Sequence, residues 1–286
     1  MLDVNEIGLS RTAESYAIIN ISVANLRSQA VFQSELLNQV LLGTIVPVYE
    51  RQNDFCFVEN WDGFRGWLSE ASLVIVDKHE AEAWHKAATR TFRRNFGLIR
   101  STPDERVGVM DLVAGAILKR GEVHSSLTKV ELPDKRTGFV ETEHLLDTQA
   151  RGADPGPEAV ARIARSFLGI PYLWGGTSSK AFDCSGFVQT VFRFLNIPLP
   201  RDAGDMVALA DEIDPSDLKT GDLLFFGKTP VRITHVALSL GGSIFIHADG
   251  FVRLNSFDQS HPLYNAHRHE TFLIAKRLPS LASPNP

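Results

Sequence analysis

Between residues 182 and 248 the spacing of apolar side chains changes from a helical to a strand period, which calls for a helix followed by strands. After Cys184, apolar residues recur at Phe187, Val188, Val191, Phe192 and Leu195, the three- and four-residue steps of an amphipathic helix. Cys184 lies on that stripe one turn before Phe187, so it is expected to face inward at the helix's first turn. Asp183 stands where an N-cap belongs, and Pro198 and Pro200 are expected to stop the helix. Residues 233–240 and 243–248 instead read as two strands joined around Gly241-Gly242.

Each strand carries a histidine, and register decides whether the two can meet. His235, Ala237 and Ser239 share one face of the first strand, and Phe245 and His247 share a face of the second. A strict two-residue turn would pair Val236 with His247 and put the histidines on opposite faces. An odd-length connection or a bulge puts them on the same face, and the chemistry requires that arrangement.

A thiol is a strong nucleophile only as thiolate, and a helix N-terminus beside an imidazole is a common way to favour that form. Cys184 is then the nucleophile, His235 the base that takes its proton and returns it to a leaving amine, and His247 the group that orients His235. Singly, each residue has a plainer reading: a buried inert cysteine, or a packed or surface histidine. Their occurrence together, within one stretch of ~65 residues with consistent secondary structure, favours a cysteine hydrolase.

The run Gly169-Ile170-Pro171-Tyr172-Leu173-Trp174-Gly175-Gly176, followed by Phe182-Asp183-Cys184-Ser185-Gly186-Phe187, resembles the NlpC/p60 family of papain-like cell-wall peptidases. Leu199-Pro200-Arg201, Gly221-Asp222-Leu223-Leu224-Phe225-Phe226 and His235-Val236-Ala237-Leu238 extend the likeness over about residues 155–278. The resemblance implies a catalytic set of Cys184, His235 and His247. It also implies that Tyr172 helps form an oxyanion site with backbone N–H groups near Cys184. Its usual substrate would be an amide bond in peptidoglycan stem peptides, between γ-D-glutamate and a diamino acid.

The preceding residues read as short strands at 17–23, 45–49, 55–59 and 64–68. Asn25-Leu26-Arg27-Ser28, Ser34-Glu35-Leu36 and Asp62-Gly63-Phe64-Arg65-Gly66-Trp67-Leu68 resemble a bacterial SH3-like barrel. After a helical stretch at 80–88, a weaker copy follows in Arg100-Ser101-Thr102-Pro103, Asp111-Leu112-Val113-Ala114-Gly115 and Gly138-Phe139-Val140, a degenerate repeat at roughly 70 residues. Gly and Pro between 151 and 157 mark a linker before a helix at 157–168. The expected architecture is an α+β papain-like catalytic domain at 151–286, preceded by two small all-β SH3-like barrels at 1–78 and 79–150.

That order resembles one branch of the family, the γ-D-glutamyl-L-diamino-acid endopeptidases of murein recycling (dipeptidyl-peptidase VI type). There the first barrel narrows the cleft, so that stem peptides with a free N-terminal L-alanine are accepted and intact wall is rejected. The resemblance assigns recognition of that ammonium to Glu35, Phe64 and Asp202, and carboxylates would offset its desolvation. Phe64 stands where tyrosine is expected, and Ala203 where serine often follows the aspartate. Each of these three residues also has an ordinary reading: a solvated barrel charge, a core aromatic and a cap. Arg201 is a candidate support of the cleft, and Asp183 and Ser185 flank the nucleophile and are candidate substrate contacts, though capping explains Asp183 equally well. Trp174 either lines the cleft or packs, with packing favoured.

His261, His267 and His269 fit no standard zinc spacing, and Pro262 and Asn265 suggest a loop, so no metal and no cofactor are expected. Cys56 alternates with Phe55 and Phe57 as a barrel core residue, and two cysteines with separate roles give no disulfide framework. A net charge of -5 gives no case for nucleic acid or for capture of anionic wall polymers. The first thirty residues carry no basic-then-apolar leader, and no segment reaches transmembrane length, so no membrane partner is expected. The expectation is a cytoplasmic, monomeric enzyme acting on imported stem peptides. A periplasmic or lipid-anchored enzyme is the alternative if a leader has been removed. A wall-remodelling hydrolase with targeting barrels and a non-catalytic wall-fragment binder are the other functional readings.

Overall fold

The computed structural model describes residues 13, 15–104, 107–148, 156–229 and 232–282. The chain divides into two compact units, Met1–Arg151 and Gly152–Pro286. Most of the expected linker, residues 151–155, lies outside the described residues.

The first unit holds two seven-stranded sheets built to one plan. The first contains β1 (Ser15–Ile19), β2 (Val23–Arg27), β3 (Leu36–Leu41), β4 (Ile45–Gln52), β5 (Phe55–Glu59), β6 (Arg65–Ser69) and β7 (Leu73–Val76). After helix α1 (Lys78–Ala87) come β8 (Arg90–Phe92), β9 (Phe96–Arg100), β10 (Gly108–Val113), β11 (Ile117–His124), β12 (Leu127–Glu131), β13 (Thr137–Glu141) and β14 (Leu145–Asp147). The strand orders are β3-β2-β6-β5-β4-β1-β7 and β10-β9-β13-β12-β11-β8-β14, the same order shifted by seven strands. The repeat seen faintly in the sequence is thus a repeat of topology.

Strand alternation builds each core. In β6, Gly66 and Leu68 are buried while Arg65, Trp67 and Ser69 keep contact with water. Leu26, Val46, Val48, Cys56, Val58 and Leu68 fill the first core, and burial pushes the Cys56 thiol up to about 11. Phe92, Ile99, Leu112, Leu118, Val130 and Val140 fill the second, and Leu42 from the first sheet's β3–β4 turn joins them. The strand expected at 17–23 is broken: β1 ends at Ile19 and β2 begins at Val23. The physical reason is bonding to partners distant in sequence, since the Asn20 N–H donates to the Ser72 carbonyl and its side chain to Asp134.

The second unit contains α2 (Pro157–Ser166), β15 (Thr177–Ser178), β16 (Ala181–Phe182), α3 (Cys184–Arg193), α4 (Ala203–Met206), β17 (Asp211–Ile213) and β18 (Thr220–Thr229). It continues through β19 (Arg232–Leu240), β20 (Ile244–Asp249), β21 (Phe251–Ser256), α5 (Ala266–Thr271), β22 (Phe272–Arg277) and α6 (Pro279–Ala282). Its main sheet runs β17-β22-β18-β19-β20-β21, all neighbours antiparallel, with α3 against β19 and β20. Helix α3 stops before the prolines expected to end it: Asn196 takes a left-handed φ of 56° and turns the chain there. No helix among the described residues is long and apolar enough to cross a membrane.

Candidate active site

Cys184 is the first residue of α3, as the apolar stripe requires. The Asp183 carboxylate caps this helix, its Oδ1 accepting from the Gly186 N–H at 2.7 Å and its Oδ2 from the Gly175 N–H at 2.9 Å. Gly186 lets the helix approach the loop before it, because a Cβ there would overlap the Gly176 carbonyl oxygen.

Arg201 completes this anchor. Its Nη1 donates to Asp183 Oδ1 at 3.0 Å and to Ser185 Oγ at 2.9 Å, and its Nη2 pairs with Asp183 Oδ2. All three side chains are buried. The structure thus gives Asp183 and Arg201 structural work at the base of α3. The carboxylate oxygens of Asp183 already accept from backbone and Arg201, which favours the capping reading over direct substrate contact. Ser185 is held in the same network.

The two histidines meet as the register argument demands. Leu238 pairs with Ile246 and Ser239 with Phe245, leaving the three-residue connection 241–243, with φ of 90° at Gly241 and 58° at Gly242. The odd length puts His235 and His247 on one face, with His235 Nε2 2.7 Å from His247 Nδ1. Phe226 packs on His235 and Phe245 on His247, at ring separations of 5.6 Å and 5.2 Å. Asn255 Oδ1 lies 2.9 Å from His247 Nε2. Sequence reasoning missed Asn255. Its signal was the run Phe251–Ser256, a third alternating strand that puts residue 255 opposite Phe245, on the histidine face.

Cys184 lies against the backbone N–H groups of Ser185 and Val236, and Val236 directly follows His235 in β19. Burial first, then the neighbouring Asp183 carboxylate, push the thiol up to about 11. Burial outweighs the thiolate stabilisation expected from the helix N-terminus. Burial and then the His247 ring hold His235 well below its ordinary value, and burial takes His247 down to about 4. All these effects favour a resting thiol and neutral imidazoles.

Half-buried Tyr172 is held by its N–H to the Gly250 carbonyl at 2.8 Å. Burial, then the nearby Cys184, raise its phenol to about 12, so it remains a proton donor at neutral pH. Trp174 is 63% exposed, which overturns the packing favoured for it; the residues that do pack are the two that follow, Gly175 and Gly176. Asp202 is exposed at the start of α4, one residue from Arg201. In the first unit, Glu35 is exposed just before β3, and Phe64 leans partly buried on the first barrel core. His267 and His269 lie on α5, capped by Asn265, where a loop was expected.

A cysteine at a helix start, a buried histidine pair on an antiparallel sheet and a protonated phenol are groups suited to cysteine-hydrolase chemistry. Comparison with known proteins agrees. The NlpC/P60 family model matches residues 169–271 and the bacterial SH3 domain model residues 22–74. The chain is 28% identical over 266 residues to dipeptidyl-peptidase 6 of Lysinibacillus sphaericus, which spans 87% of this chain and 94% of that protein. It is 35% identical over 131 residues to the probable endopeptidase NlpC homolog of Haemophilus influenzae, 45% of this chain and 68% of that one. The crystal structure of an NlpC/P60 family protein from Bacillus cereus ATCC 10987 shares the fold, with a TM-score of 0.78 at 22% identity, covering 92% of this chain and 99% of the other. The chain belongs to the NlpC/P60 family and is a hydrolase of the cysteine-peptidase class, with an all-β SH3-like region preceding its α+β domain.

Proposed function

We propose that this protein is a cysteine endopeptidase that cuts the γ-D-glutamyl–diamino acid bond of peptidoglycan stem peptides bearing a free N-terminal L-alanine. It would comprise SH3-like barrels at 1–78 and 79–150 and a peptidase domain at 151–286. The observation that carries the chemistry is Cys184 at the start of α3 beside Val236, with His235 bonded through Nε2 to His247 at 2.7 Å. That bond occupies Nε2 of His235 and leaves Nδ1 to serve the thiol.

In this reading His235 Nδ1 takes the thiol proton as Cys184 Sγ attacks the γ-carbonyl carbon of D-glutamate. Because the resting pair is neutral, proton transfer accompanies attack. The carbonyl oxygen becomes an oxyanion that receives hydrogen bonds from the Tyr172 hydroxyl and from backbone N–H groups near Cys184. Collapse breaks the C–N bond, and the imidazolium gives its proton to the departing amine of the diamino acid. A water molecule, deprotonated by His235, then attacks the thioester and releases L-Ala-γ-D-Glu with the free thiol.

The preference for a free amine rests on the resemblance and on the two carboxylates it assigns, Glu35 and Asp202, both exposed. Phe64 and Ala203 are the departures that would loosen it. We place the reaction in the cytoplasm on imported fragments, which fractionation of native cells tests.

The test offers L-Ala-γ-D-Glu-meso-diaminopimelate, its N-acetylated form and purified sacculi to the wild type and to Cys184→Ala, with products read by mass spectrometry. Cleavage of the free-amine peptide alone, lost in the variant, supports the recycling reading. Equal cleavage of the blocked peptide or of sacculi would replace it with wall remodelling.

A further inference from the structure

We infer that Asn255 is a positioning residue that sets the tautomer of both histidines, relaying a fixed orientation from the Leu263 backbone carbonyl to the base. The inference rests on the reading that His235 acts as the base, and it reaches past the Cys184–His235–His247 set to a fourth side chain.

An amide side chain can be turned either way in a site, and its neighbours decide which. For Asn255 two neighbours decide independently. Its Nδ2 lies 3.0 Å from the Leu263 carbonyl oxygen, which can only accept. Its Oδ1 lies 3.2 Å from Asn265 Nδ2. That second amide is itself oriented, because Asn265 Oδ1 caps α5 by accepting from the Arg268 N–H at 3.0 Å. Turning Asn255 over would set oxygen against oxygen at Leu263 and NH₂ against NH₂ at Asn265. Its Oδ1 therefore faces His247.

Three steps follow. An amide oxygen cannot donate, so His247 Nε2 carries the hydrogen in the 2.9 Å bond to Asn255. Neutral His247 has one ring hydrogen, so its Nδ1 offers a lone pair. His235 Nε2, 2.7 Å away, must then donate to it, and the one ring hydrogen of neutral His235 is used there. Its Nδ1 is left bare as the acceptor for a thiol proton. Were Asn255 turned over, every hydrogen in the chain would reverse and Nδ1 of His235 would be blocked. When His235 gains the thiol proton, its Nε2–H already points at His247 and nothing need rotate.

The test uses full-length protein with ¹⁵N-labelled histidine, long-range ring correlations reading the protonated nitrogen, together with kcat and KM on the free-amine tripeptide. In the wild type both His235 and His247 should carry hydrogen at Nε2. Asn255→Leu should give a mixture or the Nδ1–H form and lower kcat by ~10²-fold with KM little changed. Asn255→Asp keeps an oxygen to accept from the His247 Nε2–H but sets oxygen against the Leu263 carbonyl, so it should keep both Nε2–H forms with kcat lowered about tenfold. It decides the matter even if the leucine variant does not fold. Hydrogen at Nδ1 of His235 in the wild type would overturn the inference. So would loss of the Nε2–H forms in Asn255→Asp, or their retention with full kcat in a folded Asn255→Leu. The ring signals need no turnover, so a protein inactive on stem peptides yet showing the two Nε2–H forms would sink the proposed substrate and leave the relay standing.

Discussion

Replacing Arg201 with methionine should cost about 3 kcal/mol of stability, because it strands a carboxylate in the interior. The Asp183 and Arg201 side chains are 8% and 4% exposed, so neither charge is relieved by water. Breaking a buried pair by removing one partner costs roughly 3–5 kcal/mol. The low end applies here, since Asp183 keeps backbone donors at Gly186 and Gly175 after the guanidinium is gone. Urea unfolding followed by circular dichroism measures the loss, and for a domain of this size it corresponds to a fall of about 10 °C in Tm. Asp183→Asn combined with Arg201→Met leaves no naked charge and retains a capping oxygen, so the pair should lose less than Arg201→Met alone. A loss under about 1 kcal/mol in the single variant, or simple additivity in the double, would refute the view that this pair anchors α3.

Alkylation of Cys184 by iodoacetamide should keep accelerating as pH rises from 6 toward 10, because burial and Asp183 raise the thiol to about 11; a plateau already reached at pH 6 would indicate a preformed thiolate. His235 and His247 bind protons more weakly folded than unfolded, so their contribution is full above about pH 6.5 and declines as pH falls. For His247, held at about 4, this amounts to about 3 kcal/mol by the acid limit. Urea titrations between pH 7 and 5 should show the decline, and a flat profile would contradict it. Gly186→Ala should destabilise the protein by about 2 kcal/mol or more despite alanine's helix preference, because its methyl meets the Gly176 carbonyl; thermal unfolding at or above wild-type Tm would contradict that.

Much of the peptidase site was legible because its constraints are local. The stripe from Cys184 to Phe192 fixes a helix and its buried face, and Asp183 announces the cap. The parity of the connection at Gly241-Gly242 follows from requiring His235 and His247 on one face, and the three-residue loop meets it. What escaped depends on partners distant in sequence. Nothing near Arg201 says that its guanidinium reaches back to Asp183. Nothing in Asn255 alone shows that it faces His247, since that needs the register of β20 against β21. Trp174 looks like a packing residue by type, and only the loop's path shows it exposed. The barrels show the same division: β5 was readable from alternation, whereas the break at Asn20 depends on bonds to Ser72 and Asp134, residues contributed by other strands and turns.

If the amide bond is cut through a thioester on Cys184, hydroxylamine can intercept that thioester. With the free-amine tripeptide and rising hydroxylamine, a thioester must divide between water and the added nucleophile. L-Ala-γ-D-Glu hydroxamate should form in increasing share, with none formed by Cys184→Ala. Release of the diamino acid with no hydroxamate at any hydroxylamine concentration would mean that water attacks the amide directly, and the role assigned to Cys184 would be wrong.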